Sequence, residues 1–81
     1  SQKQLPGRIA DIILYFSETI YHSKDFSFPL TRTELAELAG TTKESLIRTL
    51  TEFKNDKIIL LEGKKVQIAS EDIIKTLSRI G

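Results

Sequence analysis

The chain holds no cysteine, no methionine and no tryptophan, and its single histidine is His22. Without cysteine there is no disulfide framework and no thiolate metal site, and a reducing compartment, the cytoplasm, is the simpler expectation. One imidazole leaves any histidine-based metal site dependent on carboxylates, and none cluster around His22. No apolar run approaches the roughly 20 residues of a membrane span, and no signal-peptide pattern opens the chain, so no membrane partner is expected. The four glycines are scattered and form no phosphate-cradling loop. An excess of one charge is missing too: 12 basic and 11 acidic side chains leave a net +1. A strongly basic total would point straight at nucleic acid, so here the placement of the charges must carry the case. No nucleophile, base and orienting group fall together, and the chain is not expected to be an enzyme.

The 81 residues suffice for one small domain, and with 40 % hydrophobic and 28 % charged residues the composition is that of an ordinary globular protein. The whole chain, 1–81, reads as that one domain, and the missing initiator Met suggests a piece of something longer. From about Pro6 to Tyr21, the residues Ile9, Ile12, Ile13, Phe16 and Ile20 recur at spacings of three and four, the stripe of an amphipathic helix. Pro6 suits its first turn, where a missing N–H costs nothing. His22-Ser23-Lys24-Asp25 reads as a loop, and Phe26-Ser27-Phe28-Pro29-Leu30 as a very short strand that Pro29 keeps brief or at an edge.

Thr31-Arg32-Thr33-Glu34 has the form of a capping box and opens a short helix through Leu35, Ala36, Leu38 and Ala39. Gly40 ends it in a left-handed conformation. Thr41 or Thr42 then caps a helix carrying Leu46, Ile47, Leu50 and Phe53 and fading near Asn55. Ile58 to Leu61 and Val66 to Ile68, joined by Glu62-Gly63-Lys64-Lys65, read as a hairpin. Ser70 is placed to cap a last helix bearing Ile73, Ile74, Leu77 and Ile80. The expected fold is mainly α with a small β-hairpin, in the order helix, short strand, helix, helix, hairpin, helix: a winged helix-turn-helix. Tyr15, Phe16, Tyr21, Phe26 and Phe28 are expected in its core, and Glu34, Glu37 and Glu52 on a solvated face.

The segment from Arg32 to about Thr51 carries the functional reading. Two helices crossing over a three- or four-residue turn leave room only for a small side chain, here Ala36, and Gly40 supplies the turn. Leu35, Leu38, Leu46 and Leu50 are spaced to meet between the helices. If the second helix, about 42–55, enters a major groove, its outward residues are Lys43, Glu44, Ile47 and Arg48, with Thr51 further along. Arg48 has the planar fork that matches guanine O6 and N7, Glu44 can accept from a cytosine amino group, and Lys43 can reach a guanine or a phosphate. Phosphate contacts fall to Arg32, Thr33, Thr42 and Ser45, and to Lys64 and Lys65 at the hairpin tip. The plainer reading of Glu44 and Arg48, four apart, is a surface ion pair worth about 0.3–0.5 kcal/mol.

The run from Leu30 to Leu50, LTRTELAELAGTTKESLIRTL, resembles the helix-turn-helix signature of the Crp/Fnr family of bacterial transcription regulators. Gly7-Arg8-Ile9-Ala10 is similar to the family's opening of the first helix, and Lys57-Ile58-Ile59 and Gly63-Lys64 fall where it has a strand and a wing turn. The resemblance implies sequence-specific binding of double-stranded DNA at an inverted repeat by a homodimer, with Glu44 and Arg48 reading bases and Lys43 as the variable reader. Members often carry Ser or Gly before the Arg; Ile47 stands there instead and suits a thymine methyl. The resemblance also implies an effector-binding and dimerising region preceding this domain. No cofactor is expected in the chain itself, and its residues do not reveal an effector, whether cyclic nucleotide, haem or iron–sulfur cluster. Family activators also touch RNA polymerase, a further partner implied. A winged helix serving only as a protein-interaction module is the alternative, favoured by the near-neutral charge.

Overall fold

A computed structural model describes residues 3–81. The helix α1 spans Leu5–Leu14 with Pro6 in its first turn, and buries Gly7, Ile9, Ala10, Ile13 and Leu14. It continues without a break into a π-helical segment, Tyr15–Tyr21. The wider π turn rotates the face that an α-helical stripe would bury. Ile20, expected in that stripe, is therefore 45 % exposed. Ser17 is buried in this segment, and its Oγ donates to the carbonyl of Ser23 at 2.7 Å. His22 closes the segment in the left-handed region, at φ 51°.

Strand β1, Asp25–Ser27, is followed by α2, Arg32–Ala39, and α3, Lys43–Asn55; β2, Ile59–Glu62, and β3, Lys65–Ile68, form the hairpin, and α4 spans Glu71–Ile80. The three strands make one antiparallel sheet in the order β1-β3-β2, with Ser27 opposite Lys65 and Glu62 opposite Lys65 across the hairpin. β1 lies at an edge and ends before Pro29, a strand as brief as that proline leads one to expect. Phe28 leaves the ladder, but its N–H still donates to the carbonyl of Lys64 at 2.9 Å.

Ile9, Ile13, Leu35, Leu46, Leu50, Ile59, Val66 and Ile74 are the largest fully buried side chains; they come from all four α-helices and from β2 and β3, so a single core joins helices and sheet. Phe16, Phe26 and Phe28 pack into it edge to face or tilted, with centroids 5.8–6.4 Å apart. Tyr15 and Tyr21, expected in the core, are instead about half exposed, at 51 % and 42 %; Tyr21 lies flat on Phe26 at its edge. Leu38 is also turned out, at 57 % exposure, because the buried face of α2 runs through Leu35, Ala36 and Ala39. On α4 only Ile74 is fully buried, and Ile73 and Ile80 face outward. Ser70 precedes α4 but makes no side-chain cap; its N–H and that of Ala69 both donate to the carbonyl of Ile58, which anchors the helix start to the sheet.

Candidate nucleic-acid interface

The interface is built from the caps outward. Thr31 Oγ1 accepts from the N–H of Glu34 at 3.1 Å, and Glu34 Oε1 accepts from the N–H of Thr31 at 2.9 Å. Both halves of the capping box are thus formed. The Glu34 carboxyl is held below its ordinary pKa, first by the Thr31 backbone N–H, then by the Thr31 side chain, with a smaller contribution from the Lys64 ammonium. At the other end of α2, Gly40 sits at φ 68°, its N–H donating to Glu37 and that of Thr41 to Ala36, so the helix ends in a tight left-handed turn.

Two residues later Thr42 caps α3, its hydroxyl oxygen accepting from the N–H of Ser45 at 3.1 Å. Of the two threonines read as caps, Thr42 fills the role. α3 then turns Leu46, Thr49, Leu50 and Phe53 inward. The Thr49 hydroxyl is satisfied by the carbonyl of Ser45 at 2.9 Å, so a polar side chain sits in this face at little cost. α3 is therefore held at its N-terminus by Thr42 and along one side by the core.

Its other side is open. Lys43, Glu44 and Arg48 are exposed, and Ile47 between them is 41 % exposed although aliphatic. Glu44, Ile47, Arg48 and Thr51 are spaced by three and four and so share one stripe. Among the described residues Glu44 and Arg48 do not form an ion pair. The guanidinium of Arg48 reaches only Ser45 Oγ, at a long 3.3 Å, leaving most of its donor fork free. Thr42 and Ser45 act as acceptors in these bonds, so each hydroxyl still has its proton to offer.

The remaining expected residues lie at the junction of α2 with the hairpin. Thr33 is exposed on the first turn of α2. Lys64 and Lys65 are exposed around the hairpin turn, where Gly63 has φ 59°. Arg32 is half-buried: its Nη2 donates to the carbonyl of Gly63, and its guanidinium lies 5.8 Å from the centre of the Phe28 ring. The sequence reading missed Lys54 and Lys57, which join Arg32, Thr51 and Lys65 along an open groove between the end of α3 and the outer face of the hairpin. Lys57 could not be placed there from the sequence because it stands at φ 59°, a region that longer side chains seldom occupy.

Among the described residues no group of three or more His, Cys, Asp or Glu is arranged to hold a metal ion, and no helix is long and apolar enough to cross a membrane. The model of the Crp-like helix-turn-helix domain family matches residues 7–78. The transcriptional activator protein FnrL of Cereibacter sphaeroides is 39 % identical over 56 residues, which span 69 % of this chain and 22 % of that protein. A protein from Eubacterium rectale assigned to the Crp/Fnr family of regulators superposes with a TM-score of 0.82 at 25 % identity, over 95 % of this chain and 34 % of the other. FixK2 from Bradyrhizobium japonicum shares the fold at 18 % identity, with a TM-score of 0.86 over 95 % of this chain and 39 % of that one. The chain thus spans between about a fifth and two-fifths of the length of these relatives.

Proposed function

Since the chain belongs to the Crp-like helix-turn-helix domain family, we propose that it binds double-stranded DNA sequence-specifically, as the output domain of a bacterial transcription regulator. The observation that carries this is the exposed stripe on α3, where Glu44, Ile47 and Arg48 hold unspent polar and apolar surface on a helix capped by Thr42 and packed on the core. Arg48 addresses a guanine through its fork, Glu44 a cytosine amino group, Ile47 a thymine methyl, and Lys43 a guanine or phosphate. Thr33, Thr42 and Ser45 donate hydroxyl protons to phosphates flanking the groove, while Lys64 and Lys65 reach the backbone from the hairpin. The single domain has a net charge of only +1, so its electrostatic hold on DNA is modest and specificity rests on the stripe.

The functional unit is then a homodimer on an inverted repeat, with two α3 helices about 34 Å apart, one turn of DNA. Dimerisation and effector binding fall to a preceding region, and contact with RNA polymerase to a surface outside the stripe. Work on DNA places the protein in the cytoplasm.

Fluorescence anisotropy on duplexes carrying a randomised inverted repeat, at several salt concentrations, tests the reading; a version fused to a dimerising coiled coil runs alongside. Salt-sensitive, sequence-selective binding is expected. Arg48→Ala should cost about 1–3 kcal/mol on the selected site and relax the preference at one base pair. Equal losses on selected and random duplexes would remove Arg48 from base reading. No binding even by the forced dimer would leave the protein-interaction module, which the near-neutral charge favours.

A further inference from the structure

Arg32 was a natural candidate for a phosphate contact, yet part of its donor fork is already engaged within the domain. It is the first residue of α2, and its Nη2 donates to the carbonyl of Gly63 in the hairpin turn. A carbonyl in a two-residue loop has no ladder partner, so this bond is the turn's connection to the helical part of the domain. The same guanidinium lies against the ring of Phe28, which is only 2 % exposed and so gives it a fixed platform. The N–H of Phe28 in turn donates to the carbonyl of Lys64, the next residue of the turn. Two successive carbonyls of the hairpin tip are thereby fastened to the segment that leads into α2.

We infer that Arg32 is a positioning residue for DNA binding, clamping the hairpin tip to α2 so that Lys64 and Lys65 stand at a fixed distance from the bases read by α3. This inference rests on the DNA-binding reading. The physical reason is pre-organisation. Without Arg32 the Gly63 side of the turn is held only by the hairpin ladder, the Lys64 side being fastened through Phe28 and β1, and a tip that must be ordered on binding gives up part of its contact energy to that ordering. Arginine suits the task because its planar fork can donate to a carbonyl while its face rests on an aromatic ring, which an ammonium does not reproduce. A residue that acts this way affects affinity only through the lysines it places.

A double-mutant cycle in the 81-residue chain separates the two roles. Binding to duplex DNA is measured against salt for the wild type, Arg32→Ala, Lys64→Ala/Lys65→Ala and the triple variant. Arg32→Ala should weaken binding by about 3- to 10-fold in the wild-type background and have no further effect once both lysines are gone. The slope of log K against log salt should be the same for the lysine double variant and the triple variant. Equal losses in both backgrounds, with the slope falling by about 0.9 each time, would put Arg32 on a phosphate and overturn the inference. Amide hydrogen exchange without DNA supplies the second readout: the amides of Gly63, Lys64 and Lys65 should exchange faster in Arg32→Ala, with those of α3 unchanged. Unaltered exchange at the tip would also overturn the clamp. If neither the wild type nor its coiled-coil dimer binds DNA while the tip amides respond, the DNA-binding reading fails and the clamp alone survives.

Discussion

Arg8 on α1 donates from Nε to the carbonyl of Ala39 at 2.8 Å, across 31 residues of sequence, and from Nη1 to the carbonyl of Lys3, also at 2.8 Å. Ala39 is the last residue of α2, where a carbonyl has no partner inside its own helix and carries the negative end of the helix dipole. One guanidinium therefore joins the chain entering α1 to the turn that sets α3. A half-buried, charge-assisted bond of this kind contributes about 1.5–3 kcal/mol. Arg8→Ala should lower the urea midpoint accordingly, and Arg8→Lys should restore only part of it, because an ammonium cannot span both carbonyls. A midpoint unchanged in the alanine variant would show the two bonds to be idle.

The capping box makes stability depend on acid. Glu34 has a folded pKa below its ordinary value, chiefly because its carboxylate accepts the Thr31 N–H. A depressed carboxylate pKa means that the unfolded state binds the proton more readily. The contribution is therefore complete above the ordinary carboxylate range and is lost as the pH falls through the lowered folded value. Denaturation midpoints of the wild type and Glu34→Gln, followed from about pH 7 down to about pH 3, should differ at neutral pH and converge in acid. A constant gap between the two curves would show that the charge is not what the cap uses.

Two helix ends use the same left-handed device with opposite residues. α2 ends at Gly40, φ 68°, and nothing stands within 4 Å of where a Cβ would sit. The turn that closes α3 passes through Lys57, φ 59°, with the N–H of Ile58 donating to Phe53 and that of Lys57 to Lys54. Left-handed backbone costs a residue with a Cβ about 1 kcal/mol relative to glycine. Gly40→Ala should thus destabilise by about 1 kcal/mol with no steric part, while Lys57→Gly should stabilise by about 0.5–1 kcal/mol. Thermal melts of the two variants should move in opposite directions. Because Lys57 lines the groove beside α3, its loss should also weaken binding to duplex DNA.

These contrasts show which parts of the molecule are legible from sequence. Thr31, Glu34, Gly40 and Thr42 were readable because capping and turn chemistry act within three or four residues. The inward residues Leu35, Leu46 and Leu50 followed from periodicity. Ile20 did not, since the change to a π turn after Leu14 has no local marker, and neither did Leu38, since a helix of eight residues has room for a narrow buried face only. The stripe of Lys43, Glu44, Ile47 and Arg48 was legible as an outward face. The engagement of Arg32 with Gly63 was not: it joins residues 31 apart, and only the closing of the sheet brings them together.

Gly7 marks the closest approach of α1 to α4, at a site that periodicity leaves unremarked. A Cβ there would lie 2.6 Å from the carbonyl carbon of Gly81 and 2.9 Å from the carbonyl oxygen of Leu77. Both are backbone atoms, so no side-chain rotation relieves the overlap, and the two helices must separate. The N–H of Gln4, which donates to the carbonyl of Gly81 at 2.6 Å, would be pulled away with them, and so would the pairing of Ser78 with Asp11. Alanine is the better helix former by about 1 kcal/mol, which acts in the opposite direction. Overpacking of a tight helix contact costs about 1–3 kcal/mol, and because the contact here is with backbone the steric cost should exceed the propensity gain. Gly7→Ala should therefore lower stability in urea by a net amount on the order of 1 kcal/mol, with faster amide exchange in α4. Stabilisation by alanine would mean that the end of α4 shifts freely, and that the α1–α4 contact is not part of what holds the domain together.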